Sequence, residues 1–219
     1  MAGCIPLSSS SVGARVYRWF DERLGLGALL SYKVPAHANR IWYMLGGTTV
    51  ALVILQGITG FLLAQFYHAH PETPGAYESL QYIIAEAPLG WFIRGLHYWG
   101  AQVTVVLVSL HLLRVFVTGS FKKPRELNWL AGVGLLALLV AFMFSGTVLK
   151  WDQEGYEALV HNIEIGELLG TLGYFFSPEF ASHIPILTRL YVAHVSILPI
   201  LAILLFGLHA YLIRKHGIS

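Results

Sequence analysis

The sequence is poor in charge. Asp, Glu, Lys and Arg make up 12% of its 219 residues, while 56% are hydrophobic and the mean hydropathy is +0.62. Soluble domains carry about twice that share of charge, so the balance points to a membrane. The net charge of +2 is near zero, which argues against nucleic acid as a partner. There is a single cysteine, Cys4, so neither a disulfide framework nor a thiolate metal cluster can come from this chain. No apolar run of signal-peptide length follows the polar Ser8–Ser11, and residues 1–13 read as a loosely ordered lead.

Four stretches lack Asp, Glu, Lys and Arg altogether: Ile41–Phe66, Gly95–Leu113, Leu127–Leu149 and Leu190–Ile213. Each is long enough, or nearly so, to cross a hydrocarbon core of ~30 Å. Aromatic residues gather at their ends (Trp42, Tyr43, Trp91, Trp99, Trp129, Trp151 and Tyr211), as spanning helices require at the two interfaces. The expectation is an all-α membrane protein. A four-helix bundle, with helices near 41–66, 91–117, 127–149 and 184–214, fills a domain over 41–219. Residues 1–40 form an arm, in which ARVYRWFDERL (14–24) predicts a short amphipathic helix lying at the interface. The Lys150–Arg189 connection is a long loop with short helical patterns.

Charge sets the orientation. Eleven of the fourteen basic residues lie in the arm, the second interhelical loop and the tail; the other two connections hold nine of the twelve acids. The positive-inside rule puts both termini in the cytoplasm and the Lys150–Arg189 loop outside it.

Two of the charge-free runs carry histidines at depth, where a polar residue needs a partner. His97 and His111 are fourteen residues apart, hence within roughly 40° of one helix face and ~21 Å apart along the axis. His194 and His209, fifteen apart, lie within roughly 60° and ~22 Å. The second and fourth helices run in the same direction, so His97 pairs with His194 near the outer face and His111 with His209 near the cytoplasm. Zinc or copper between two imidazoles would be half-built. Haem needs only two axial ligands, and two imidazoles leave no open position, so such a haem carries electrons. The spacing therefore predicts two haems, one above the other.

Glycines keep the same period. Gly46 and Gly60 on the first run, and Gly132 and Gly146 on the third, are each fourteen apart. A residue without a side chain lets a backbone approach a macrocycle, although small residues also favour plain helix packing in membranes. Arginines stand about one turn nearer water: Arg94 and Arg114 are the expected partners of haem propionates, with Arg125, Arg189 and Arg214 as further candidates.

Through these residues the chain resembles cytochrome b6 and the amino-terminal half of cytochrome b in quinol-oxidising Rieske/cytochrome b complexes. The resemblance runs from Tyr17 onward. It is carried by WFDERL (19–24), LGG (45–47), LGWFIRGLHYWGA (89–101), HLLRVFVTGSFKKPRELNW (111–129), WDQ (151–153), LTRLYVAHVSILP (187–199) and IRKHGIS (213–219). It implies two b-type haems and electron flow from quinol oxidation on the positive side, through His97/His194 and then His111/His209, to a quinone on the negative side. It implies as partners a subunit carrying the remaining helices, a Rieske iron–sulfur protein and a c-type cytochrome, in a homodimeric complex of a prokaryotic cytoplasmic membrane. The redox chemistry would belong to the cofactors.

Three departures from that pattern stand out. Met44 replaces the cysteine that attaches a third haem, so no covalent haem is expected. The N-terminal arm is shorter and lacks an acidic pair. Gly146-Thr-Val-Leu-Lys-Trp151 replaces a glycine-tyrosine-x-leucine-proline-tryptophan run, placing Thr147 and Lys150 where a quinol pocket would be lined. Two other readings compete: a dihaem quinone-linked anchor of another dehydrogenase or a modified complex, and a cofactor-free helical scaffold or transporter.

Overall fold

A computed structural model describes residues 12–24, 40–168, 170–174 and 177–218. Among them every regular element is helical. Helix α1 is Val12–Leu24, α2 Ile41–Ala64, α3 Ala76–Ala85, α4 Gly90–Val117, α5 Glu126–Val148, α6 Gln153–Leu168 and α7 Ile186–His216. Helices α2, α4, α5 and α7 are long and apolar enough to span, at 24, 28, 23 and 31 residues. The first spanning helix stops two residues short of the expected Phe66, and the last runs two residues past Arg214. Cys4, Lys33 and the end at Ser219 lie outside the described residues.

Packing is pairwise. Helix α2 lies along α4, and α5 along α7, whereas α4 and α7 bring almost no backbone together. The bundle is thus two hairpin-like pairs facing one another across a seam. Most of each span's surface is not covered by the chain's own atoms, which suits helices that meet lipid, cofactor or another subunit.

A small core closes the end of the bundle where α2 and α5 finish. Ala76, Val148, Leu159, Leu187 and Leu190 are buried there, with Tyr67, Trp151 and Ile186 against them. Three long-range hydrogen bonds tie the first connection to the third and to the first turn of α7. Tyr67 Oη donates to the Leu149 carbonyl (2.8 Å), Trp151 Nε1 to Pro71 (3.3 Å) and Thr188 Oγ1 to Ala69 (2.5 Å). Burial, with Tyr191 beside it, pushes the Tyr67 phenol well above its ordinary pKa, so it stays a donor.

Helix α3 is an element the sequence reading passed over. Its signal is local: Glu78 accepts from the Gly75 N–H at 3.0 Å, half of a capping box, and Ala76, Ser79 and Ile83 recur on the buried face.

Candidate functional site

The seam between α4 and α7 is where the four histidines meet. The rings of His97 and His194 have centroids 6.4 Å apart and planes at 65°. Two imidazoles trans to one metal, at ~2.0 Å per bond, would put their centroids at ~6.3 Å. The separation therefore leaves room for one metal atom between them. His111 has His209 and Arg114 as its electrostatic neighbours. Among the described residues no three His, Cys, Asp or Glu side chains come together as a metal site.

Ring orientation is fixed from behind. Thr59 Oγ1 donates to the Leu55 carbonyl at 2.7 Å, and so it accepts from His97 Nδ1 at 2.9 Å. Ser145 repeats this on the opposite pair, donating to Ala141 at 2.7 Å and accepting from His194 Nδ1 at 2.8 Å. His209 Nδ1 meets the Asn128 carbonyl at 3.1 Å, and a carbonyl can only accept. All three imidazoles are thereby held with the proton on Nδ1, leaving the Nε2 lone pair for a metal. No such partner is present for His111 among the described residues. Phe142 packs edge-on against His194, centroids 5.5 Å apart.

The four glycines face the histidines one to one. A Cβ would come within 3.1 Å of His97 Cε1 at Gly60, 3.2 Å of His111 at Gly46, 3.2 Å of His194 at Gly146 and 3.4 Å of His209 at Gly132. The sequence suggests these glycines as the place where a macrocycle is approached; what the structure sets against them is the imidazoles. Their order also fixes depth: the early glycine of each helix meets the late histidine of its neighbour, as antiparallel packing demands.

Fifteen residues separate His194 from His209 without loss of register. A π-helical turn, Ala193–Ile197, contains His194 and takes up one residue. The effective spacing becomes fourteen, so the phase moves from roughly 60° to roughly 40°, that of His97 and His111. Pro199, which has no amide hydrogen, follows at once.

Of the arginines, Arg94 lies over the Tyr98 ring at 5.2 Å and Arg114 over Tyr43 at 4.0 Å. Arg125 Nη2 donates to the His216 carbonyl at 3.1 Å, and Arg189 Nη2 to Ser177 at 2.7 Å. Arg214 is exposed. Thr59, Ser145, Asn128 and Phe142 escaped the sequence reading. A signal was present for the first two, since each hydroxyl residue immediately precedes a period-bearing glycine.

Beyond the C-terminal end of α5, Lys150 does not stand free. It pairs with Glu154 and, at 3.5 Å, with Asp152. Burial alone would lower its pKa, but the hydrogen bond and charge of Glu154, with that of Asp152, outweigh this and raise it. The contribution is complete below the ordinary lysine range and is lost only as pH rises through the raised value, so the pairing persists at neutral pH. Lys150→Met is expected to speed amide exchange over 149–156 while leaving haem content unchanged; unaltered exchange would show that the turn is held without it. Thr147 Oγ1 is turned back onto the Met143 carbonyl (3.0 Å). Next to Lys150, an open groove of about 600 Å³ is lined by Tyr77, Trp151, Asp152, Gln153 and Tyr156.

A membrane bundle whose inner seam carries paired imidazoles, each backed by glycine, is the architecture of a haem-binding electron-transport subunit. Comparison with known proteins agrees. The model of the family described as Cytochrome b/b6/petB matches residues 29–217. The cytochrome b6 of Mastigocladus laminosus is 42% identical over 214 residues, covering 94% of this chain and 98% of the relative; that of Desmonostoc sp. is 40% identical with the same coverage. A solved chain titled "Hyperthermophilic respiratory Complex III" superposes with a TM-score of 0.76 at 27% identity, covering 92% of this chain and 55% of that one. The chain belongs to the cytochrome b/b6 family: an integral membrane, b-type-haem-binding cytochrome b subunit of a quinol oxidoreductase.

Proposed function

We propose that this chain holds two b-type haems, one between His97 and His194 and one between His111 and His209, and relays electrons across the membrane. They enter from quinol oxidised on the positive side and leave to a quinone reduced on the negative side. The observation that carries this reading is the His97/His194 pair: 6.4 Å between ring centroids, with both Nδ1 atoms already engaged. When bound, each haem supplies a one-electron couple, and two imidazoles leave no position open for substrate.

The chain's own residues bind and orient. Thr59, Ser145 and the Asn128 carbonyl hold the rings; Gly46, Gly60, Gly132 and Gly146 leave them space; Arg94 and Arg114 are the propionate partners, with Arg125, Arg189 and Arg214 secondary. Met44 offers no thiol, so a covalent third haem is not part of this reading.

The remaining helices and the quinol-oxidising chemistry would come from a separate subunit, with a Rieske protein and a c-type cytochrome completing a homodimeric complex. Both termini face the cytoplasm, and the membrane is the cytoplasmic membrane of a prokaryote. The test is the purified complex: its subunit composition, and a reduced-minus-oxidised spectrum giving two b haems per chain. A molybdenum or nickel enzyme in place of a Rieske protein would reassign the chain as another dehydrogenase's anchor. Absence of b-type bands would end the reading.

Ring orientation gives a second test. Thr59→Val and Ser145→Ala each strand a buried imidazole N–H. Haem loss to excess apomyoglobin should reveal affinity weakened ~10–100-fold, while Thr48→Val, at an exposed hydroxyl bonded to the Met44 carbonyl, changes nothing. Equal retention in all three would show that these hydroxyls do not support the ligands.

A further inference from the structure

A second groove opens on the flank of the α5/α7 pair turned away from the histidines. It measures about 510 Å³ and is lined by Gly134, Leu138, Leu201, Leu204, Leu205 and Leu208. Gly132 faces His209, whereas Gly134, two residues on, lies roughly 160° round the helix, so the groove looks out of the bundle. Gly134 is its floor. A Cβ there would stand 2.9 Å from Leu205 Cδ2, and the missing side chain leaves the hollow. No lining side chain carries a polar atom, so the groove offers a ligand apolar contact alone.

One end of the groove runs toward charge. Leu201, Leu208 and Lys215 recur every seven residues and stay within roughly 40° of one line along α7, while Arg214 is turned roughly 100° from Lys215. Lys122 and Lys123 precede α5, and the Arg125 bond to the His216 carbonyl holds the start of α5 beside the end of α7. Lys122, Lys123 and Lys215 are all exposed, and Glu126 is the one carboxylate on 122–126 and 213–216. Distance fits a single leaflet. Lys215 and Leu201 are ~21 Å apart along the axis, and half a bilayer with its headgroups is ~20–22 Å. A free anion would leave the leucines uncovered. A neutral amphiphile or an apolar neighbouring helix would leave the lysines unanswered. An amphiphile with an anionic head uses both.

We propose that this groove binds an anionic phospholipid. One acyl chain lies over Gly134 and Leu205, from Leu208 as far as Leu201, and the phosphodiester head is held by Lys215 with Lys122 and Lys123. The site stands apart from the dihaem reading, because it occupies the flank of α5 opposite Gly132. Bound there, the lipid braces the same helix pair that sets the Asn128 carbonyl on His209 Nδ1.

The test places the intact complex in nanodiscs of dioleoylphosphatidylcholine. These contain a trace of phosphatidylglycerol or, separately, of phosphatidylcholine, each with a diazirine on its acyl chain, and the photolabelled peptides are mapped. Labelling over 201–208 should be roughly tenfold stronger with phosphatidylglycerol. Lys215→Gln should weaken that signal roughly fivefold, the effect of one lysine near a charged head, and leave the phosphatidylcholine signal unchanged. Leu204→Trp fills the groove and should cut labelling by both lipids about as much. Ile203→Trp should not, although Ile203 is 70% exposed and Leu204 67%, because Ile203 lies outside the lining. Equal labelling by the two lipids, or in the Leu204 and Ile203 variants, would overturn the site. Displacement by inorganic phosphate would make it a bare anion site, and no labelling of 201–208 in the complex would mean that a neighbouring helix covers it. Either result also overturns the proposal.

Discussion

His97→Ala is expected to leave the purified complex with about half its haem, the positive-side one gone and the negative-side one spectrally intact. The substitution removes one of the two imidazoles 6.4 Å apart and strands Thr59 Oγ1. His111 and His209 lie ~21 Å further along the axis on separate turns and keep their own contacts. With the outer site empty, quinol oxidation can no longer reduce the inner one, and transmembrane electron flow should stop. His209→Ala should give the mirror result, with the positive-side haem retained and reducible but unable to pass its electron on. Haem counts with redox titration of both variants decide the matter. Two haems retained in His97→Ala would mean that the ligand lies elsewhere.

The second large effect concerns a residue with no side chain. A Cβ on Gly60 would stand 3.1 Å from His97 Cε1, while one on Gly57, a turn away on the same helix, would meet nothing within 4 Å. Gly60→Val adds a branched side chain where one atom is already too close, and overpacking of this kind costs about 1–3 kcal/mol. The imidazole is the softest neighbour, so it moves, and the positive-side haem should be lost selectively. Gly57→Val should leave both haems. Gly146→Val should resemble Gly60→Val from the opposite pair, and Gly132→Ala, where the approach is 3.4 Å, should be the mildest change. Equal haem content in the Gly60 and Gly57 variants would refute the assignment.

Much of the bundle was legible because a membrane simplifies the code. Charge-free runs located α2, α4, α5 and α7 to within a few residues, since the hydrocarbon core demands length and apolarity whatever the packing. Helix α3 was missed because a ten-residue amphipathic stretch beside a long span carries a weak signal; only its Gly75–Glu78 cap and the Ala76, Ser79, Ile83 face betray it. The histidines and glycines were visible through their shared period. Thr59 and Ser145 carried only a faint mark, each standing just before a period-bearing glycine, because a single helix does not say that a hydroxyl bonded to its own backbone also faces a ring on the neighbouring helix.

By itself the sequence determined the number of helices able to span and the spacing of the histidines along each, because both follow from counting residues along one chain. It could not determine the azimuth of His194. Counting gave a 60° offset, and only the π-helical turn at Ala193–Ile197 restores its phase. Nor could it choose the Nδ1 partners of His97, His194 and His209, set Lys150 between Asp152 and Glu154, or place Arg125 on the His216 carbonyl. Apart from the local Lys150 pairing, these are relations between helices, fixed by how α2 sits on α4 and α5 on α7. Periodicity is a property of one helix, and contact is a property of two.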